Sequence, residues 1–301
     1  MIELSNVSRW YGNVVAVNEV SFKVEAGVTG LLGPNGAGKS TILHMVAGLL
    51  APSTGTVTVG GQPSFGNPPV YRQIGLVPER EAVYPFLTGR EFVRASARLQ
   101  GLTDADAAAT RAIEAVDMLA AADRAIGGYS KGMRQRIKVA AALVHEPTTL
   151  ILDEPFNGMD PRQRLHMMTL LRRMGQEGRA ILFSSHILEE VERLAERVLV
   201  IVAGRLAASG DFRQIRRLMT DRPHTFTVRS SDDRALAAVL MATPAVSGVS
   251  LDDGLISVRA SDFGTFSRQV AVAARDARVR LYELLPTDES LESVFSYLVR
   301  R

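Results

Sequence analysis

The segment that most constrains this chain is Gly33-Pro34-Asn35-Gly36-Ala37-Gly38-Lys39-Ser40-Thr41, which fits GxxxxGK[ST] and lies between an apolar stretch (Val28 to Leu32) and a helical pattern (Ile42 to Leu50). Glycines at this spacing let successive backbone N–H groups turn inward around phosphates. Lys39 then reaches the β and γ phosphates and the Ser40 hydroxyl is placed to ligate Mg²⁺. Such a loop needs a buried strand before it and a packed helix after it. Three short apolar runs further on, Thr149 to Leu152, Ala180 to Phe183 and Val198 to Val202, read as strands of a parallel sheet covered on both faces.

The remaining pattern divides the 301 residues into two units. Val20, Phe22 and Val24 alternate with polar neighbours, and Thr56 to Val59 ends at Gly60-Gly61, so the opening sixty or so residues read as a β-rich lobe. An Ala-rich stretch from Leu87 to Ala125, with Leu99, Ile113, Val116 and Leu119 at helical spacings, reads as a helical insert, and the helical subdomain is set at about 86–133. The first domain is expected to span 1–218 and a second 219–301. Between them, Arg213 to Pro223 reads as a solvated basic linker; Arg213, Arg216, Arg217 and Arg222 have no interleaved aromatics, which argues against a nucleic-acid or lipid patch. The second domain runs strand, helix, strand, an Asp253-Gly254 turn, strand, helix, strand, a ferredoxin-like βαββαβ order. A last helix carries Leu291, Val294, Phe295 and Leu298 on one face, with Asp288 and Glu289 in its first turn.

Composition removes several classes. The chain has no cysteine, which excludes disulfide frameworks, thiolate metal sites and cysteine nucleophiles. No apolar run approaches the roughly 18 residues of a membrane span, and Met1-Ile2-Glu3 does not open a signal segment. A cytoplasmic location is therefore expected. The net charge of +3 is compatible with an anionic membrane surface and does not call for nucleic acid as a partner.

Other segments gain meaning beside the phosphate loop. Leu150-Ile-Leu-Asp153-Glu154-Pro155 is an apolar strand ending in two carboxylates. Alone it could be an acidic turn. Next to bound phosphates, Asp153 would hold Mg²⁺ through water and Glu154 would orient or deprotonate an attacking water. His186 follows the next apolar strand and so falls at the carboxyl end of the same sheet. Ser130-Lys-Gly132-Met-Arg-Gln135-Arg136 opens a helix with Ser130 as its N-cap, either a plain capped helix or a second anion site.

The ordered set Tyr11, Gly33 to Thr41, Ser130 to Arg136, Leu150 to Pro155, Asn157-Gly-Met-Asp160 and His186 resembles the ATP-binding subunit of ABC transporters over residues 1 to 218. The resemblance implies an α/β P-loop NTPase fold of the ABC ATPase type, with an antiparallel β subdomain and a helical subdomain, followed by the small α+β ferredoxin-like domain. It implies MgATP as substrate, Tyr11 stacked on adenine, and Glu154 and His186 as catalytic groups. Asp160 would lie in the loop coupling two sites, and Ser130 and Gly132 would face the γ-phosphate held by a second copy in a head-to-tail homodimer. The partner would be a membrane permease, which holds the subunit at the inner face of the cell membrane. A soluble ABC ATPase acting on a ribosome or a nucleic-acid machine is the alternative.

Two departures narrow the family. The usual Leu-Ser-Gly-Gly-Gln signature reads Tyr129-Ser-Lys131-Gly-Met133, and the glutamine that contacts Mg²⁺ and the membrane partner aligns with Glu79. A carboxylate can also ligate Mg²⁺. Both departures, with the tail Leu284 to Phe295, are similar to the branch serving ABC-2 type permeases, exporters of drugs, antibiotics, lipids or polysaccharides. Tyr84, Pro85, Phe86 and Leu87 are candidate permease contacts.

Overall fold

A computed structural model describes all residues except 81, 220–222, 253–254, 289 and 300–301. The chain divides into Met1–Ser209 and Gly210–Arg301. In chain order the first unit begins with β1 (Ile2–Tyr11), β2 (Val14–Val24), β3 (Gly27–Leu32), α1 (Lys39–Val46), β4 (Thr54–Val59) and β5 (Gln62–Pro63). It continues with α2 (Pro68–Tyr71), β6 (Ile74–Val77), α3 (Gly89–Leu99), α4 (Ala105–Ala115), α5 (Lys131–Leu143) and β7 (Thr149–Asp153). It closes with α6 (Pro161–Gln176), β8 (Ala180–Ser184), α7 (Leu188–Leu194), β9 (Arg197–Val202) and β10 (Arg205–Gly210).

Two sheets result, of order β2-β1-β4-β5 and β10-β9-β3-β8-β7-β6. In the first, β1 pairs antiparallel with β2 and β4, so the alternating Val20, Phe22 and Val24 turn one face inward. In the second, β3, β6, β7, β8 and β9 run parallel, and β7 and β8 are buried along their whole length. Helix α1 joins the two sheets. Its Ile42, Leu43, Met45 and Val46 share one core with Ile2, Leu4 and Val59 of the antiparallel sheet and with Ile151, Leu182 and Leu199 of the parallel one. A helix this short does not hold in water. Burying each of those side chains contributes roughly 1.5–3 kcal/mol, so packing is what fixes α1 and the loop that enters it.

Helices α3 and α4, with short 3₁₀ turns at Leu119–Ala121 and Ile126–Gly128, occupy the stretch expected to be helical. Thr88 caps α3 in a reciprocal arrangement with Glu91, and Asp104 caps α4. Ile113 and Val116 are buried, but Leu99 is 90% exposed although its helical spacing suggested a core position.

The second unit comprises α8 (Phe212–Leu218), β11 (His224–Ser230), α9 (Asp233–Met241), β12 (Val246–Asp252), β13 (Leu255–Ala260), α10 (Phe263–Asp276), β14 (Leu281–Pro286) and α11 (Leu291–Val299). Its sheet order, β12-β13-β11-β14 with antiparallel neighbours, is that of a ferredoxin-like βαββαβ unit. Phe226, Val228, Ile256 and Val258 pack there against Leu236 and Leu240 of α9 and Phe266 and Val270 of α10. In α11, Leu291 and Val294 are buried, while Phe295 and Leu298 are half-buried.

The boundary differs from the expected 218. Helix α8 belongs to the second unit, because Arg216 is 0% exposed and paired with the buried Asp288. The guanidinium also donates to the Pro223 carbonyl and lies over the Tyr297 ring, and Arg217 lies over Phe263. Arg216 thus departs from the expected solvated linker, whereas Arg213 and Arg217 are exposed. Asp288 does not decorate the first turn of α11 either; it precedes the helix and accepts from Arg216 and from the Thr225 amide. Glu289, Arg222 and the Asp253-Gly254 turn lie outside the described residues.

Asp288→Ala is expected to strand a buried guanidinium and to destabilise the second unit by about 3 kcal/mol. Calorimetry should show that unit's melting transition falling while the other stays in place.

Candidate functional site

Strand β3 runs buried into the loop Gly33 to Gly38, and α1 begins at Lys39. Gly38 has φ +105, and a Cβ there would meet the Ala16 carbonyl oxygen at 2.4 Å, so the residue must be glycine. The first turn of α1 has no acidic residue and no side-chain cap, which leaves its amides to an anion. Lys39 is buried, with Nζ donating to the carbonyls of Gly33 (2.8 Å) and Pro34 (3.1 Å). Burial lowers its pKa, and Glu154, Asp153 and Glu79 act against that shift.

The carboxylates come from the adjacent strand. Parallel register sets Asp153 of β7 beside Ser184 of β8. The Ser184 hydroxyl donates to Asp153 Oδ1 and accepts from the Glu154 amide at 3.0 Å. Glu154 itself sits at φ +51, a left-handed conformation that costs a non-glycine residue about 1–2 kcal/mol. Its amide is held by Ser184, and its carbonyl accepts from the Asn157 amide (3.2 Å) and Gln135 Nε2 (3.4 Å). His186 Nδ1 lies 2.8 Å from Glu154 Oε2. Burial raises the Glu154 pKa, opposed by the His186 hydrogen bond and the charges of His186 and Lys39. A half-buried carboxylate oriented by an imidazole can position and deprotonate a water beside the phosphate loop.

Asn35, Gly36, Gly38, Lys39, Ser40, Thr41, Glu79, Asp153 and Glu154 line one cleft of about 380 Å³. A larger cavity, about 440 Å³, is an apolar groove bordered by Leu49, Leu76, Pro78, Ala82, Phe92, Leu99 and Lys138. The cleft carries the phosphate-type chemistry despite being smaller.

The ABC transporter family model matches residues 17–157. The chain is 33% identical to the bacitracin transport ATP-binding protein BcrA of Enterococcus faecalis, over 99% of this chain and 96% of that protein. It is 38% identical to the linearmycin resistance ATP-binding protein LnrL of Bacillus subtilis, over 70% of this chain and 69% of that one. The chain belongs to the ABC transporter ATP-binding proteins. A solved ATP-binding subunit of an ABC transporter superposes with a TM-score of 0.66 at 30% identity, covering 72% of this chain and 92% of that one. As a member, the chain is an ATP-hydrolysing subunit of a transporter. Among the described residues no helix is long and apolar enough to cross a membrane.

Not every residue picked out for this ABC subunit meets in the cleft. Gly33 and Pro34 accept from Lys39 through their carbonyls, and Ala37 is a buried residue of the loop. Tyr11 is exposed at the end of β1, with the Arg9 guanidinium 4.9 Å from its ring centroid, and does not border the cleft. Ser130 caps α5 by accepting from the Met133 amide, and a Cβ on Gly132 would collide with the Gly158 carbonyl and Gln163. Asp160 caps α6 through the Gln163 amide (2.8 Å). Neither Ser130, Gly132 nor Asp160 borders the cleft.

Sequence reasoning passed over Ser184 and Gln135, which hold the Asp153-Glu154 backbone. The only signal for Ser184 was a serine at the end of an apolar strand. Ser184→Ala removes the Asp153 donor and leaves the strained Glu154 amide without its acceptor. It is expected to lower kcat for ATP about 10-fold or more, with ATP affinity within about twofold, by steady-state kinetics and calorimetry.

Proposed function

We propose that this subunit powers export through a separate ABC-2 type permease, as a homodimer that clamps two MgATP between its copies on the cytoplasmic side of the membrane. The observation that carries the reading is the apolar groove beside the Glu79 loop. Phe86 is 78% exposed and Tyr84 is also exposed; the Tyr84 ring lies 5.9 Å from Phe86 and 6.4 Å from Phe92, which borders the groove. An apolar surface of this kind beside a catalytic cleft suits a partner's helix. Similarity to a bacitracin transport subunit along both units of the chain supports the same reading.

Ser40, Asp153 and Glu79 supply hard oxygen donors in one cleft, a set that suits Mg²⁺ held by few protein ligands and by the phosphates of its substrate. Bound there, the cation would neutralise charge building on the transferred phosphoryl group. Lys39 and the α1 amides hold the β and γ phosphates, and Glu154, oriented by His186, takes a proton from the attacking water. Tyr11 offers a face for adenine. Because Ser130 and Gly132 stand outside this copy's cleft, they are free to cover the γ-phosphate in a partner's, with Lys131 adding a cation, and Asp160 relays one site to the other.

The test has two arms. Glu154→Gln should keep ATP affinity and lose about 10²–10⁴-fold in kcat. In the parent, kcat should rise with pH through a pKa above the ordinary carboxylate value, since the base works ionised and burial raises that pKa; the Gln variant should lose this limb. Phe86→Asp should retain ATP affinity but no longer pellet with membranes when the permease is co-expressed. Continued recovery in the membrane fraction would remove this surface as the docking site.

A further inference from the structure

Helix α5 bears a buried lysine that the catalytic scheme leaves without a role. Lys138 is 5% exposed between the apolar Ile137 and Val139. An ammonium in such surroundings is costly to desolvate, and an aliphatic side chain of the same length would fill the space more cheaply. Its Nζ donates to the carbonyls of Pro78 (2.7 Å) and Arg80 (2.9 Å), the two residues that flank Glu79. The loop bearing Glu79 is therefore gripped from both sides of that residue by one amine.

Lys138 ends a stripe. Residues 131, 135 and 138 fall on one face of α5 by helical spacing. Lys131 Nζ donates to Asn157 Oδ1 at 3.1 Å, and Gln135 Nε2 to the Glu154 carbonyl. Lys131 and Gln135 hold the loop between β7 and α6, and Lys138 holds the loop that bears Glu79. Glu79 and all three of these side chains line one further small cavity, and Lys138 also borders the apolar groove together with Pro78 and Ala82.

We propose that Lys138 is a positioning residue for hydrolysis: through the Pro78 and Arg80 carbonyls it sets Glu79 against the cleft, and by bordering the groove it makes that setting responsive to what fills the groove. This rests on the reading of Glu79 as a group acting on MgATP. Without the amine, the two carbonyls lose their shared donor and Glu79 leaves the cleft it lines with Ser40 and Asp153. Lys39 stays anchored to the phosphate loop through the Gly33 and Pro34 carbonyls and keeps the nucleotide.

The experiment uses the full chain and measures kcat, KM for ATP and the Mg²⁺ concentration for half-maximal rate in the parent, Lys138→Met, Lys138→Arg, Glu79→Gln, Glu79→Ala and the Lys138→Met/Glu79→Ala double variant. Lys138→Met should lower kcat about 10-fold and raise the Mg²⁺ requirement about fivefold, with KM for ATP within about twofold. Lys138→Arg, which keeps donors for both carbonyls, should recover most of the rate. The double variant should be no slower than Glu79→Ala alone, because both changes act on one loop. If Lys138→Met does not fold, Lys138→Gln, which keeps a donor for one carbonyl, takes its place in every comparison. Parent-like kinetics, a loss confined to KM, or strictly additive losses in the double variant would overturn the proposal. Parent-like Mg²⁺ dependence in Glu79→Ala and Glu79→Gln, with Lys138→Met still impaired, would instead remove the reading of Glu79 and with it this route for Lys138.

Discussion

The parallel register of β3, β8 and β7 governs everything the cleft can do. Leu31 lies beside Ser184, and Ser184 beside Asp153, so three strands end level with one another at the same edge of the sheet. From that edge leave the phosphate loop, the Asp153-Glu154 pair and the His186 segment. A slip between β7 and β8 would separate the Ser184 hydroxyl from both carboxylate residues and would leave Glu154 in a left-handed conformation with no acceptor for its amide. Burial of β7 and β8 on both faces is what makes such a slip expensive.

Charge in the cleft is set by burial before it is set by pairing. Desolvation is the largest influence on both Lys39 and Glu154, and it drives each toward its neutral form. Their mutual attraction and the His186 hydrogen bond offset part of that cost. Phosphates entering beside them act on the two groups in opposite directions: negative charge holds Lys39 protonated and raises the Glu154 pKa further. The His186 contact is thus a counterweight that favours the ionised form of a buried carboxylate.

The second unit shows a different use of charge. Arg216 and Asp288 are both buried, and their pairing draws α8 and the segment before α11 onto one fold, although most of the ferredoxin-like element sequence lies between them. From sequence, four arginines within a short turn-rich stretch read as a solvated surface, since lone charges are seldom buried. The partner that buries Arg216 among them is 72 positions away, and nothing local to the arginines announces it. Leu99 errs in the opposite direction. Its helical spacing was apolar and regular, but α3 is a short helix whose inward face is filled by Val93 and Ala97, so Leu99 is left on the surface.

What the sequence determined by itself is what local chemistry dictates. Glycines spaced for a phosphate loop, an apolar strand ending in Asp153-Glu154, Ser130 as a helix cap, and the alternation of strands and helices in the last eighty or so residues all depend on neighbours within a few positions. What only the tertiary structure decided is which groups meet across long separations. Ser184 beside Asp153, Gln135 against the Glu154 carbonyl, Lys138 gripping the two sides of Glu79 and Arg216 buried on Asp288 join residues brought together by sheet register and helix packing. Hydrophobic period says which face of an element turns inward, but it carries no information about which polar atom waits on the other side, and hydrogen bonds form only once packing has fixed that distance.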